Sequence, residues 1–358
     1  MEPDKRRPRI AIACEGGGSH TAFTAGVLKR LLVEPIDIVA LSGTSGGAVC
    51  ATLAWRGLLA GDPDDATARL EGFWRDNSVD GFEAMLEGWM RFGLRTLGNV
   101  VSPEMSPYLG WGDAAEPFRK LLNRHCGFAE MPGLLRRNPG APRLLIGASD
   151  VRSGEFHVFR SHEVPHRGVM YPATELNAEV VIASAAIPTL FRAVHIDGRD
   201  YWDGVFSQNP PVRELPDMVR MMPGNKPPDE IWVVRINSRT CDTVPTSMGR
   251  IRDRRNELSG IISLDQELYL IDLLNRLTAG GLSATKHEHI TLRSISMAHD
   301  FAEPLDYESK LDRNRPFIES LEEHGFGQAD EFLRDPDAHI ELDSGKLSRG
   351  TPRLARAK

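Results

Sequence analysis

The sequence predicts an α/β fold in which helices cover both faces of a mainly parallel sheet. Apolar runs of strand length alternate with longer segments whose apolar residues recur at helical spacing. Two successive units of strand, glycine-rich turn and helix fill the first 60 residues. The length of 358 residues, with 41% hydrophobic and 26% charged residues, is generous for one α/β domain and short for two.

The first unit has a strand at 9–14 and a helix at 20–33, separated by Gly16, Gly17 and Gly18. A glycine-rich loop at a helix start presents backbone N–H groups at the positive end of the helix dipole. Such groups hold a phosphate or a developing oxyanion. The dinucleotide-binding pattern fits poorly because its third glycine is replaced, and a P-loop is excluded because no Gly-Lys-Ser/Thr follows.

The second unit has a strand at 36–42, the turn Gly43-Thr44-Ser45-Gly46-Gly47 and a helix at 46–60. A serine at such a turn is forced out of the sheet, where its hydroxyl can attack a carbonyl carbon. With 33 glycines, a G-x-S-x-G match arises by chance in roughly one chain in seven. From this motif alone, a catalytic nucleophile and a plain tight turn both remain open.

The segment 73–111 is rich in large apolar residues and belongs to a helical region that we expect to extend to about 137. It contains three of the six tryptophans. One interpretation is a helical subdomain with its own core. The other is a cap over the nucleophile, lined for acyl chains or exposed at a lipid interface. The two interpretations are compatible.

The second half of the chain continues the alternation of strands and helices. We expect strands at 143–149, 155–160, 193–196, 200–202, 231–236 and 289–295, and helices at 247–258, 261–279, 306–324 and 328–334. Asp197-Gly198 predicts a hairpin turn, and Asp203-Gly204 ends the second strand of that hairpin. Taken alone, Asp203 is more typical of a turn aspartate than of a catalytic group.

Four sequence blocks, in the same order, resemble the patatin-like phospholipase family. They are the three-glycine loop, the turn around Ser45, an Ala-Ser-x-Ala-x-Pro stretch at 183–188, and Asp203-Gly204 followed by Asn209-Pro210. The resemblance covers residues 8–212 well and the rest only loosely. Three positions differ from the family pattern: His20 and Thr21 replace a basic residue and a glycine, and Val205 replaces a small residue.

The resemblance implies a three-layer catalytic domain at 8–344, with a helical cap inserted at about 60–137. It further implies a lipid acyl hydrolase with a Ser45–Asp203 dyad, in which serine is the nucleophile and aspartate its base. The oxyanion hole would be formed by backbone N–H groups, those of Gly16, Gly17, Gly18 and Gly46. The implied substrate is a phospholipid or another acyl ester, and no cofactor or metal is required.

Three alternatives remain open at this point. A Ser-His-Asp triad is the rival mechanism, because several histidines follow Asp203 in the order seen in α/β-hydrolases. The α/β-hydrolase fold, however, places the turn that carries its nucleophilic serine after several strands, whereas Ser45 follows only the second predicted strand. An acyltransferase on the same scaffold would pass the acyl group to an alcohol or thiol instead of water. A non-enzymatic lipid-binding protein is the third, although the intact site residues argue against it.

Composition narrows the partners and the setting. The net charge of −7 gives no overall attraction to nucleic acid. The four cysteines show neither metal-site nor disulfide spacing. The sequence has no run of 18 apolar residues and so predicts no transmembrane helix. No secretion signal is evident. We therefore expect a cytoplasmic protein with peripheral membrane contact, and a disordered basic tail at 345–358.

Overall fold

A computed structural model describes residues 7–79, 106–108, 115–166, 169–188, 190–222, 224, 226–281, 288–306 and 308–341. The strands are β1 (Arg9–Cys14), β2 (Asp37–Gly43), β3 (Arg143–Asp150), β4 (Phe156–Arg160), β5 (Val164–His166), β6 (Val169–Tyr171), β7 (Val194–Ile196), β8 (Arg199–Asp203), β9 (Glu230–Arg235) and β10 (Thr291–Ser296). The α-helices are α1 (Ala22–Leu32), α2 (Gly46–Ala60), α3 (Pro63–Asn77), α4 (Glu116–Cys126), α5 (Met131–Arg137), α6 (Ala178–Ala185), α7 (Leu215–Arg220), α8 (Met248–Ala279), α9 (His299–Ala302) and α10 (Arg315–Arg334).

The main sheet is parallel over most of its width. Its strand order is β10-β9-β1-β2-β3-β8-β7, with β4 also paired to β3. The five strands from β10 to β3 are all parallel to their neighbours. Strands β4 and β8 run antiparallel to β3, and β7 and β8 form the predicted hairpin. The prediction of a mainly parallel sheet is therefore confirmed.

Helices cover both faces of this sheet, as the sequence predicts. Along β1, Ile10, Ile12 and Cys14 pack on one face, and Ala11 and Ala13 pack on the other. Side chains that alternate in this way must be covered on both sides, because successive residues of a strand point to opposite faces. Helices α1, α2, α3, α6 and α10 contribute to the first core, and α7 and α8 contribute to the second.

The predicted strands agree with the observed ones to within about two residues, but two predicted helix breaks were wrong. Helix α8 is continuous where we expected one helix at 247–258 and another at 261–279. Gly260 lies inside it because α8 packs closely there against the side chain of Asn209. Likewise, α10 is one helix, and it begins at Arg315 rather than near 306. Pro316, in its first turn, suits a helix start.

Several expectations lie partly or wholly outside the described residues. Helices α3, α4 and α5 fall in the predicted cap region, but residues 80–105 and 109–114 are not described. Phe73 and Trp74, at the start of the apolar segment, are buried in the first core. The cap and its acyl-binding role stay predictions, as does the tail at 345–358. None of the described helices is long and apolar enough to cross a membrane.

Candidate active site

Ser45 lies at the sharp turn between β2 and α2, in a strained conformation. Its backbone angles are φ 55° and ψ −130°, a region that side-chain-bearing residues rarely adopt. A methyl group on Gly43 would lie 2.5 Å from the carbonyl oxygen of Gly47, so the turn is as tight as the motif predicts. The neighbouring Thr44 hydroxyl donates to the carbonyl oxygen of Gln208 at 2.6 Å. The turn is thus held in place by a residue 164 positions further along the chain.

Ser184 fixes the backbone of Ser45. The Ser45 N–H donates to the Ser184 hydroxyl oxygen at 3.0 Å, and that hydroxyl donates to the carbonyl oxygen of Gly147 at 2.6 Å. Helix α6 carries Ser184 and strand β3 carries Gly147, so two rigid elements hold the turn. The sequence analysis assigned Ser184 no role, although it lies in one of the four matching blocks.

Asp203, at the end of β8, meets the side chain of Ser45. Its carboxylate accepts a hydrogen bond from the N–H of Val205 at 2.8 Å. The side chain is almost fully buried. Burial raises the pKa of Asp203 from 3.8 to about 7, and the Val205 N–H and the nearby Ser45 hydroxyl offset only part of this rise. At neutral pH the carboxyl group is therefore poised between its protonated and ionised forms.

The position of Asp203 is set by the neighbouring strand and helix. In the antiparallel pairing of β8 with β3, Asp203 lies opposite Ala148. The Asp203 N–H donates to the carbonyl oxygen of Ala186, and the Ser149 hydroxyl donates to the carbonyl oxygen of Asp203. These contacts leave the carboxylate little freedom to move away from Ser45.

The glycine loop lies directly against Ser45. A methyl group on Gly16 would lie 2.8 Å from Cβ of Ser45. The N–H of Gly16 donates to Oδ1 of Asn209 at 2.7 Å, so this group is occupied, contrary to our expectation that it serves as an oxyanion donor. Among the described residues, no hydrogen bond engages the N–H groups of Gly17, Gly18 or Gly46. These three remain as candidate donors.

Glu267 anchors the loop that carries Asn209. Its carboxylate, on α8, accepts from Nε2 of Gln208 at 2.5 Å and from the N–H of Val212 at 2.7 Å. Burial, reinforced by the charge of Glu214, raises the pKa of Glu267 to about 7. Glu267 lies more than 50 residues from that loop, and no motif pointed to it.

Glu15 ties the start of the glycine loop to the sheet. This fully buried carboxylate accepts from the N–H groups of Ile236 and Asn237 at 2.7 and 2.9 Å. Arg235 lies beside it, with nitrogen and oxygen 3.7 Å apart. The sequence analysis missed this role, although the placement of a carboxylate immediately before three glycines was a usable signal.

None of the histidines in the described ranges is hydrogen-bonded to Ser45. His20 is buried and bonds to the Ser309 hydroxyl, with a distance of 2.8 Å from Nε2 to Oγ. Burial, with the charge of Lys310, holds the pKa of His20 well below its usual value, so its ring is neutral. The other described candidates have other partners or lie at the surface. His157 packs on Phe159 and Tyr201, His195 pairs with Asp200, and His299 pairs with Asp242. His324 accepts a hydrogen bond from the Ala298 N–H, His289 is exposed, and His287 lies outside the described residues.

No group of three or more His, Cys, Asp or Glu side chains that could bind a metal ion occurs in the described part of the chain. The described cysteines are unpaired: Cys14, Cys50 and Cys126 are buried and Cys241 is exposed. Burial raises the pKa values of the Cys50 and Cys126 thiols to about 12, so both are neutral at ordinary pH.

Comparison with known proteins gives one family match. The family model described as Patatin-like phospholipase matches residues 12–216, which include every residue of the candidate site except Glu267 and the residues that Glu15 contacts. No curated protein sequence matches the chain significantly.

Among solved structures, the chain is similar to VipD from Legionella pneumophila, with 12% identity and a TM-score of 0.40, covering 93% of this chain and 67% of that one. It is also similar to the type III effector protein ExoU, with 13% identity and a TM-score of 0.38, covering 95% of this chain and 58% of that one. A third similar structure is the complex of ExoU with SpcU from Pseudomonas aeruginosa, with 13% identity and a TM-score of 0.35, covering 96% and 57%. The chain thus spans less than two thirds of the ExoU chains.

Proposed function

Because the chain belongs to the patatin-like phospholipase family, we propose that it hydrolyses acyl esters of lipids with Ser45 as nucleophile and Asp203 as general base. The observation that carries the proposal is a buried carboxylate beside the Ser45 hydroxyl whose pKa is raised to about 7. A base with a pKa near the working pH is ionised often enough to act and basic enough to accept a proton.

The reaction proceeds in two steps through a covalent intermediate. Ser45 Oγ attacks the ester carbonyl carbon while its proton passes to Asp203, and the alcohol leaves with that proton. Water then attacks the acyl-serine and gives its proton to Asp203, the acyl–Oγ bond breaks, and Asp203 passes the proton to Ser45 Oγ as the fatty acid leaves. Each step returns the carboxylate to its ionised form, so no cofactor enters the balance.

The negative charge that develops on the carbonyl oxygen is stabilised by the N–H groups of Gly17, Gly18 and Gly46. These three N–H groups make no other hydrogen bond among the described residues. Gly46 is also the first residue of α2, where the helix dipole favours negative charge. Donors fixed in advance in a buried site stabilise a transition state more than donors in water do. In this scheme Gly16 shapes the loop and Asn209 holds it.

Labelling with a serine-reactive fluorophosphonate tests the nucleophile. We expect one modification, at Ser45, on the tryptic peptide spanning residues 31–56. Ser42 lies on the same peptide and is buried, so Ser42→Ala is the matched control and should label normally. Labelling of any other serine with Ser45 left free would reject the proposed nucleophile.

The pKa of Asp203 predicts the pH dependence of the reaction. The ionised carboxylate is the active form, so kcat/KM should rise about tenfold per pH unit below pH 7 and level off above it. A soluble short-chain ester measured from pH 5 to pH 9 gives the profile. His20→Gln is the control and should keep the same inflection, because burial already holds its pKa far below this range. A flat profile, or an inflection that disappears in His20→Gln, would contradict the assignment of Asp203 as base.

A further inference from the structure

The solvent-facing side of α8 is unusually apolar for an exposed helix surface. Seven large apolar side chains on this helix are between 36 and 58% exposed: Met248, Ile251, Leu258, Ile262, Tyr269, Leu270 and Leu277. They follow one side of the helix over roughly 44 Å, at a rise of about 1.5 Å per residue. The opposite side carries Leu264, Leu268 and Ile271, which pack in the second core. Helix α8 is thus apolar on both sides, and of these two sides only the inner one packs into a core of the described residues.

The charges of α8 are separated by sign. Its five carboxylates are buried or half-buried and turn toward the protein, where each has a partner. Asp253 and Glu257 lie near Lys310, and Asp265 pairs with Arg235. Glu267 accepts hydrogen bonds from the Gln208 side chain and from the N–H groups of Val212 and Arg213. Asp272 pairs with Arg276 of the same helix.

The exposed side carries only positive charge. Arg255 and Arg276 are exposed beside the seven apolar residues, and Asp272, the ion-pair partner of Arg276, is buried. No exposed carboxylate occurs among the described side chains of α8, and Arg255 forms no ion pair with any described residue. We call this side, from Met248 to Leu277, the outer face of α8.

We propose that the outer face of α8 binds the surface of an anionic phospholipid membrane and so brings Ser45 to its lipid substrate, an inference that builds on the proposed hydrolase function. Large apolar side chains combined with arginine, and without acids, are the composition of helices that lie in the interface of a bilayer. The apolar side chains enter the acyl boundary, and the guanidinium groups remain at the headgroups, where each gains from the negative surface potential.

Charge argues against the other occupants of this face. In a symmetric dimer the outer face would meet its own copy and place arginine opposite arginine, because it has no carboxylate to offer. Nucleic acid would leave seven large apolar side chains without a partner. An anionic lipid surface satisfies both the apolar and the basic groups.

Helix α8 is also packed against the candidate active site. A methyl group on Gly260 would lie 2.7 Å from Nδ2 of Asn209, whose Oδ1 accepts from Gly16 beside Ser45. The Ser263 hydroxyl donates to the carbonyl oxygen of Ser207, just after Asp203. Leu258 and Ile262 lie two residues before and after Gly260, on the opposite side of α8 from Asn209, so one helix connects the outer face to the catalytic loops.

Vesicle sedimentation tests this inference without hydrolysis when Ser45→Ala protein is used. Two vesicle types are compared: phosphatidylcholine alone, and phosphatidylcholine with phosphatidylserine in equal parts. We expect strong binding only to the anionic vesicles. Leu258→Gln/Ile262→Gln should weaken that binding at least about tenfold. Arg255→Gln should weaken it roughly fivefold on anionic vesicles, and this difference should shrink as salt is raised.

Phe326→Gln/Arg334→Gln is the matched control, since it removes one exposed apolar and one exposed basic side chain from α10 instead. It should bind as the parent does. Binding equal to the parent in both α8 variants, binding to neutral vesicles alone, or no vesicle binding by the parent would overturn the inference. A dimer in size-exclusion chromatography that dissociates in Leu258→Gln/Ile262→Gln would assign the face to a second copy and also overturn it.

The hydrolase proposal fails separately from this inference. Both α8 variants, with Ser45 restored, should hydrolyse a soluble short-chain ester at the parent rate, because no residue of the outer face touches the site. Vesicle binding without any esterase activity would reject only the proposed hydrolase function. Esterase activity without vesicle binding would reject only the proposed role of the outer face of α8. Arg255→Gln keeps the test valid should the apolar variant fail to fold, since Arg255 forms no ion pair with any described residue.

Discussion

Ser45→Ala is expected to reduce ester hydrolysis by about four orders of magnitude or more, because it removes the atom that forms the acyl intermediate. The substitution deletes one hydroxyl group and leaves the backbone hydrogen bond from residue 45 to Ser184 in place. Alanine at φ 55° is no better accommodated than serine, so the strain of the turn is unchanged. Hydrolysis of a soluble ester, measured with melting temperature as the check on folding, gives the result.

Ser184→Ala is the informative companion to this variant. It removes the acceptor for the Ser45 N–H without touching the reacting oxygen, so we expect activity between those of the parent and Ser45→Ala. If Ser45→Ala turned over ester at the parent rate, the whole dyad scheme would be rejected. If Ser184→Ala were as inactive as Ser45→Ala while remaining folded and labelling normally at Ser45, then the position of that N–H would matter more than the scheme allows.

The local parts of the site could be predicted because their residues are neighbours in sequence. The turn around Ser45 has its strand, its glycines and its helix within 25 residues, and each follows from propensity and periodicity. The hairpin ending at Asp203 likewise follows from Asp197-Gly198 and the short strands beside it. The structure has both features at the predicted positions.

The pairing of Ser45 with Asp203 could not be derived in this way. The two residues are 158 positions apart, and only the resemblance to a family connected them in the sequence analysis. The same limit explains why Glu267 and Asn209 were missed, since each acts by holding a loop from another part of the chain. Helix α8 shows a related limit, because local propensity indicated a break at Gly260 and tertiary packing against Asn209 prevailed.

Asp203→Asn is expected to lower activity nearly as much as Ser45→Ala, by roughly three orders of magnitude or more, since members of one catalytic unit are not additive. Asparagine keeps the shape of the side chain and can still accept the hydrogen bond from the Val205 N–H, but it cannot take the proton from Ser45. Asp200→Asn, on the same strand, is the matched control and should remain active, because the Asp200 carboxylate pairs with His195 at the surface. An active Asp203→Asn together with an inactive Asp200→Asn would show that the wrong carboxylate had been chosen.

The same substitution should make the protein more stable above neutral pH. Folding raises the pKa of Asp203 from 3.8 to about 7, so the folded state resists ionisation of this group. Below about pH 4 the carboxyl group is protonated in both states and costs nothing. Between about pH 4 and pH 7 the unfolded state gains from ionisation and the folded state does not, so wild-type stability falls, and above about pH 7 the loss is constant.

This loss is at most about 4 kcal/mol, at 1.36 kcal/mol per pKa unit, and Asp203→Asn removes it. Urea unfolding of both proteins at pH 5 and pH 8 should therefore show a gain in the variant that is larger at pH 8. If Asp203→Asn lowered the free energy of unfolding equally at both pH values, the carboxylate would be a structural hydrogen-bond acceptor with an ordinary pKa. A gain in stability combined with loss of activity is the outcome that only a buried, catalytically used carboxylate produces, because the burial that makes Asp203 basic enough to accept the proton of Ser45 is the same burial that destabilises the fold.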